Sequence, residues 1–152
     1  MLRERLSETL KSAMLSKDTR TVSTVRLILA ALKDRDIAAR PKGLTDGVPE
    51  EEILQMLQGM VKQRKESIVL YDQGNRPDLS QKEAEEIGII EKFLPTRLSE
   101  AEAEAAVVAT IKAIGAQGLK DMGRTMAALK ERYAGRMDFS KASGLVKKLL
   151  TG

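Results

Sequence analysis

Phosphate neutralisation is the chemistry that the residue types of this chain suit best, and the residues for it lie together. Residues 96–152 carry ten Lys or Arg against six Asp or Glu, a surplus of four, whereas residues 1–95 carry sixteen of each. From Lys112 onward the count is nine basic against three acidic. Lys120, Arg124, Lys130, Arg132, Arg136, Lys147 and Lys148 are the candidate contact residues, and Lys141 also faces outward on the last helix. Such a surplus in one segment points to an anionic partner there. Aromatic residues number only four, Tyr71, Phe93, Tyr133 and Phe139, each at a core-like helical position. No stacking platform for single-stranded bases is therefore expected. Lys and Arg without stacking partners suit structured nucleic acid recognised by shape.

Other reactive-looking sets are weaker. Ser140 with Lys141, and Ser143 with Lys147, pair a hydroxyl with an amine, but no Gly-rich segment beside them supplies an oxyanion hole. The Glu50–Glu52 triplet and the Glu85–Glu86 pair are explained by helix-end electrostatics and solvent exposure. Lys62 and Lys65 read as solvated charges, and Arg64, nearer the apolar stripe, as a partner for a carboxylate of the same domain. Histidine and cysteine are absent altogether, which excludes His-based acid–base catalysis, thiol chemistry, disulfides and the usual zinc sites. Neither GxGxxG nor GxxxxGK[ST] occurs. These absences favour a protein that is not an enzyme, with no cofactor and no metal. No apolar run approaches the roughly 18 residues of a membrane span, and the N-terminal MLRERLSETL lacks the apolar core of a signal peptide. The expectation is a cytoplasmic protein without a membrane partner.

The elements that position these residues all read as helices. A first helix over about 2–17 places Leu2, Leu6, Leu10, Ala13 and Met14 on one face. Asp18 is a suitable N-cap for a second, about 19–39, and Pro49 with three glutamates suits the start of a third. Gly74 is the expected left-handed cap of that third helix, and Ser80 with Glu83 the capping box of a fourth that runs to about Phe93. Pro95 marks a domain boundary. Beyond it, Ser99 with Glu102 is a second capping box, opening a helix that ends at Gly115 and Gly118. Helices follow over 119–134 and 140–150, separated by Gly135. The first of these buries Leu119, Met122, Met126, Leu129 and Tyr133. The second buries Phe139, Ala142, Leu145, Val146, Leu149 and Leu150. The expected fold is all-α, a four-helix domain over 1–95 followed by a three-helix domain over 96–152.

Several stretches resemble the GatB/YqeY family: TVRLILAALKDRDI (24–37), QRKESIVLYDQGNRPDLSQKEAEEIGIIEKFLPTRLS (63–99), KDMGRTM (120–126) and GRMDFSKASGLVKKLL (135–150). The length resembles that of the stand-alone YqeY-like members. The resemblance implies two all-helical domains, and a relation to the tail of the B subunit of glutamine-dependent aminoacyl-tRNA amidotransferase, which helps hold tRNA. It therefore implies tRNA as a partner, through Lys120, Arg124 and Arg136 in the matching stretches, with an aminoacyl-tRNA synthetase or amidotransferase as a candidate protein partner. The family's association with carbon–nitrogen ligases that use glutamine as amido donor rests on other domains and subunits. A protein–protein adaptor is the alternative function.

Overall fold

The computed structural model describes residues 1–151, and every regular element among them is helical. Seven α-helices are present: α1 (Leu2–Leu15), α2 (Thr19–Ala39), α3 (Glu50–Gln73), α4 (Pro77–Glu91), α5 (Glu100–Ile114), α6 (Met122–Tyr133) and α7 (Phe139–Thr151). They fall into two compact units, Met1–Pro95 with α1–α4 and a second that begins at Thr96 with α5–α7.

The first unit is built on long amphipathic helices. Leu2 and Leu6 of α1, Val25, Ile28 and Leu32 of α2, Ile53, Met56, Leu57 and Val61 of α3, and Ile89 and Ile90 of α4 form one core with Phe93. Asp18 caps α2 by accepting the Thr21 amide at 3.2 Å. Met14, expected on the buried face of α1, is 52% exposed, one residue before the helix ends, while its neighbour Ala13 is the buried residue of that turn. The α3–α4 corner also differs from the sequence-based expectation. Gly74 is right-handed (φ −82°) and Asn75 takes the left-handed position (φ 55°). Helix α4 starts at Pro77, which puts Ser80 inside it, where its hydroxyl is not the cap. Proline's fixed φ and missing N–H make it a sufficient first residue, so the Ser80/Glu83 box is not needed.

Ion pairs close this unit on itself. Arg64 of α3 sits 2.8 Å from Glu86 and 3.9 Å from Glu83 of α4, and its Nη1 also donates to the Met60 carbonyl. Glu86 is thus a buried partner rather than a solvated charge. Arg3 binds both Asp36 oxygens and the Val48 carbonyl, while Asp36 accepts the Val48 amide at 2.9 Å. This clamp pins the 40–49 loop, and Gly47 is required there: its φ is +99°, and a Cβ would lie 2.6 Å from Arg3 Nη2.

The Arg3 guanidinium, followed by the Val48 amide, holds the Asp36 carboxyl down at about 2 against an ordinary 3.8. A depressed carboxylate stabilises the fold fully above its unfolded pKa and ceases to do so as pH falls through its folded value. Asp36→Asn should therefore cost about 1–2 kcal/mol at pH 7, the lower end reflecting the 24% exposure of the side chain. Its unfolding curve in urea should converge on the wild-type curve between pH 4 and pH 2. A difference of the same size at pH 2 would contradict the assignment.

Candidate nucleic-acid interface

The second unit is a three-helix arrangement in which α5, α6 and α7 each pack on the other two. Its core consists of Ala106 and Val107 of α5, Leu129 of α6, Met137, and Ala142 and Val146 of α7, with Met126, Tyr133, Phe139 and Leu145 partly buried around it. Tyr133 and Phe139 belong to this packing, each half-buried against it.

Each corner of the unit has a local chemical cause. Ser99 and Glu102 form the full capping box at the start of α5. These reciprocal hydrogen bonds, with the Arg136 charge nearby, hold the Glu102 carboxyl below its usual value. Gly115 closes α5 in the left-handed conformation (φ +67°). A single tight turn, Leu119–Asp121, then leads into α6, so Lys120 lies on a corner rather than on the helix proper. That turn leaves Leu119 50% exposed, not buried as helical spacing extended back from α6 would have it. Leu149 is likewise 41% exposed, on the last turns of α7. Gly135 (φ +77°) turns the chain between α6 and α7, and Asp138 accepts the Ser140 amide at 2.9 Å to start α7.

The candidate contact residues divide into two groups. Arg124 and Arg136 are engaged within the unit. Arg124 donates through Nη1 to the Ile114 carbonyl (3.0 Å) and through Nη2 to Asp121 (3.1 Å). Asp121 also accepts the Gln117 amide at 2.9 Å, and this bond, with Arg124 second, holds its carboxyl below the ordinary value. Arg136 donates through Nε to the Thr96 carbonyl at 3.0 Å, and its own carbonyl accepts the Leu98 amide at 2.8 Å.

The second group is Lys120, Lys130, Arg132, Lys147 and Lys148. All are exposed except Lys130, which is half-buried, and the only ion pair of this unit among the described residues is Arg124–Asp121. Lys147 and Lys148 lie on the side of α7 away from Ala142 and Val146, with Lys141 about two turns earlier. On α6 the cations do not share one face. Lys130 and Arg132 flank the helix on opposite sides, and Glu131 stands between them on the outer face. The turn carrying Lys120 packs against both α6 and α7. The lysines at the end of α7 are thus the most concentrated unopposed positive charge in the unit.

The outward face of α5 is different in kind. Ala101, Ala105, Val108 and Ala109 line a shallow apolar groove, with Glu104 and Lys112 at its margins. No group of three or more Asp, Glu, His or Cys side chains converges for a metal among the described residues, and none of the described helices is long and apolar enough to cross a membrane.

Comparison with known proteins places these features in a family. The chain is 31% identical over 146 residues to altered inheritance of mitochondria protein 41, mitochondrial, of Kluyveromyces lactis, covering 93% of this chain and 72% of that protein. It is 36% identical over 104 residues to the protein of the same name in Lachancea thermotolerans, and 38% identical over 89 residues to that in Eremothecium gossypii. The matched segments cover 67% and 59% of this chain, and only about half of those two relatives (54% and 46%). The family model described as Yqey-like protein matches residues 3–150, essentially the whole chain, and the chain belongs to that family.

Proposed function

We propose that this protein is a non-catalytic tRNA-binding accessory protein and that the second unit supplies the binding surface. One contrast carries the reading. In the first unit acids and bases balance, and Arg3, Arg20, Arg35, Arg64 and Arg76 are each paired with a carboxylate. In the second, a surplus of positive charge stands exposed with a single ion pair to offset it. Unopposed lysines raise the folding free energy through self-repulsion, so their concentration in one unit calls for an anionic partner. The two aromatic residues of this unit, Tyr133 and Phe139, are both engaged in its core packing, which favours contact with phosphates of folded RNA over stacking with unpaired bases.

The names of the relatives place those proteins in mitochondria. We assign this chain to the cytoplasm, and the reading requires only a compartment that translates. The association of the wider family with glutamine-dependent amidation fits a protein that holds tRNA for an enzyme made of other chains. A second reading, an adaptor that docks on a synthetase or amidotransferase, is favoured by the apolar groove of α5. The alanines and Val108 that line the groove offer phosphate no contact, with Glu104 and Lys112 only at its margins, so the adaptor reading uses a different surface from the lysines of α7.

Titration of the full chain with bulk tRNA at several salt concentrations tests the first reading. Binding should weaken linearly in log–log form, with a slope of about −0.7 to −0.9 per phosphate contacted. Four to five contacts from the free cations imply a slope of roughly −3 to −4. No measurable binding at low salt would remove the RNA reading and leave the adaptor.

A further inference from the structure

We infer that Arg124 and Arg136, in the KDMGRTM and GRMDFSKASGLVKKLL stretches, are positioning residues of the basic surface and do not themselves contact the ligand. The inference rests on the RNA-binding reading above and divides its cations by task.

The observations are the hydrogen bonds of the two corners. Arg124 spans from the last turn of α5 to the turn before α6, bonding a carbonyl at one end and a carboxylate at the other. Its guanidinium therefore satisfies an orphan carbonyl at a helix C-terminus, where positive charge is also favoured by the dipole. Asp121, held by Arg124, in turn fixes the Gln117 amide, and the Thr125 hydroxyl donates to the Asp121 carbonyl at 2.8 Å. The whole 114–125 corner, with Lys120 on it, is thus one hydrogen-bonded assembly whose charged centre is Arg124–Asp121.

Arg136 acts over a longer range. Its Nε bond to Thr96 spans forty residues of sequence, and the Leu98 amide closes a second bond onto its backbone. The segment that opens the unit is stapled to the corner between α6 and α7. The planar fork of arginine suits both tasks, since it directs fixed donors at carbonyl and carboxylate oxygens. Lysine carries the same charge on a flexible stem with no such geometry. The free lysines have the opposite design: mobile point charges with no partner in the fold. Arg124 and Arg136 hold the corners, and the free lysines, with Arg132, face the RNA.

The test uses the full chain with Arg124→Gln and Arg136→Gln, compared with the pair Lys147→Gln/Lys148→Gln, all at a temperature where circular dichroism shows full helicity. Removing one phosphate-binding cation lowers the magnitude of the salt slope by about 0.7–0.9. The lysine pair should lower it by about 1.4–1.8. Each arginine variant should keep the wild-type slope while binding bulk tRNA about threefold more weakly, because the complex must then order a corner that was already fixed. A slope reduced by about 0.7–0.9 in either arginine variant overturns the assignment, as that residue would then touch phosphate. Affinity and slope both unchanged overturn it as well, as the arginine would then serve the fold alone. Hydrogen exchange of the free protein keeps the two ideas separable. Arg124→Gln should speed exchange of the Gln117 amide, and Arg136→Gln that of the Leu98 amide, by about tenfold or more through local opening. If the wild type binds no tRNA but these amides open as stated, the RNA reading fails and the stapling role stands. If they keep wild-type protection, the positioning role fails whatever the RNA result.

Discussion

Reversing the charge of Lys147 and Lys148 to glutamate lowers tRNA affinity by on the order of 100-fold at 0.1 M salt, if the second unit is the binding surface. Without its two phosphate-binding lysines the slope falls by about 1.4–1.8, which at 0.1 M relative to 1 M salt amounts to roughly 25–60-fold, and the new negative charges add repulsion. The fold should hardly notice. Both side chains are exposed, and neither takes part in an ion pair; only their backbone carbonyls are used, by the Thr151 hydroxyl at the end of α7. Acidic residues at a helix C-terminus oppose the dipole by about 0.3–1 kcal/mol each, an effect screened by salt. A filter-binding or fluorescence titration with bulk tRNA, alongside a thermal melt, checks both parts. Wild-type affinity in a folded variant would move the binding surface elsewhere.

The largest stability effect is expected from Glu86→Ala. Arg64 is 12% exposed and Glu86 8%, with 2.8 Å between Nε and the carboxylate. Removing the acid leaves a guanidinium desolvated between α3 and α4, and breaking a buried pair in this way costs about 3–5 kcal/mol. Glu83, 3.9 Å from Nε and less buried, recovers part of the interaction and places the expected loss near the lower end, about 3 kcal/mol. Replacing both partners by apolar residues, Arg64→Met with Glu86→Leu, should recover more than half of that loss. Urea denaturation followed by circular dichroism measures each variant. A loss under about 1 kcal/mol for Glu86→Ala would mean that water or Glu83 fully compensates the arginine.

Local rules carry far in this sequence. Asp18 and the Ser99/Glu102 box act as caps, and Gly115 and Gly135 take the left-handed turns, because each is decided by residues within four positions. Helical spacing likewise identifies the cores, Val25, Ile28 and Leu32 in one unit and Leu129 and Val146 in the other. Where two local signals compete, the sequence misleads. Pro77 outranks Ser80 at the start of α4, and Asn75 takes the strained position that Gly74 is expected to occupy. Leu119 looks buried only when helical spacing is carried back through a turn.

At the candidate interface the helical wheel reveals which cations point outward, and it reveals nothing about what they touch. Arg124 and Lys120 look equivalent by charge and spacing, yet one is bonded to a carbonyl ten residues back and the other is unpartnered. Arg136 meets Thr96 across forty residues, which no periodicity predicts. Glu86 reads as solvated for the same reason, since its burial depends on a partner helix and not on its neighbours in sequence. The pairing of Arg64 with a carboxylate is legible because Arg64 departs from the solvated side of α3 toward its apolar stripe.

The separation of corner residues from free lysines has a bearing on how such a surface changes over generations. A lysine that supports nothing in the fold can disappear, arise or move by a turn of helix at almost no cost in stability. Arg124, Asp121 and Arg136 offer no such latitude, since each substitution disturbs a corner. The scaffold is therefore held fixed by a few residues while the charge pattern drifts almost neutrally. The charge pattern of such a surface can be altered by single steps, each of which leaves a folded intermediate.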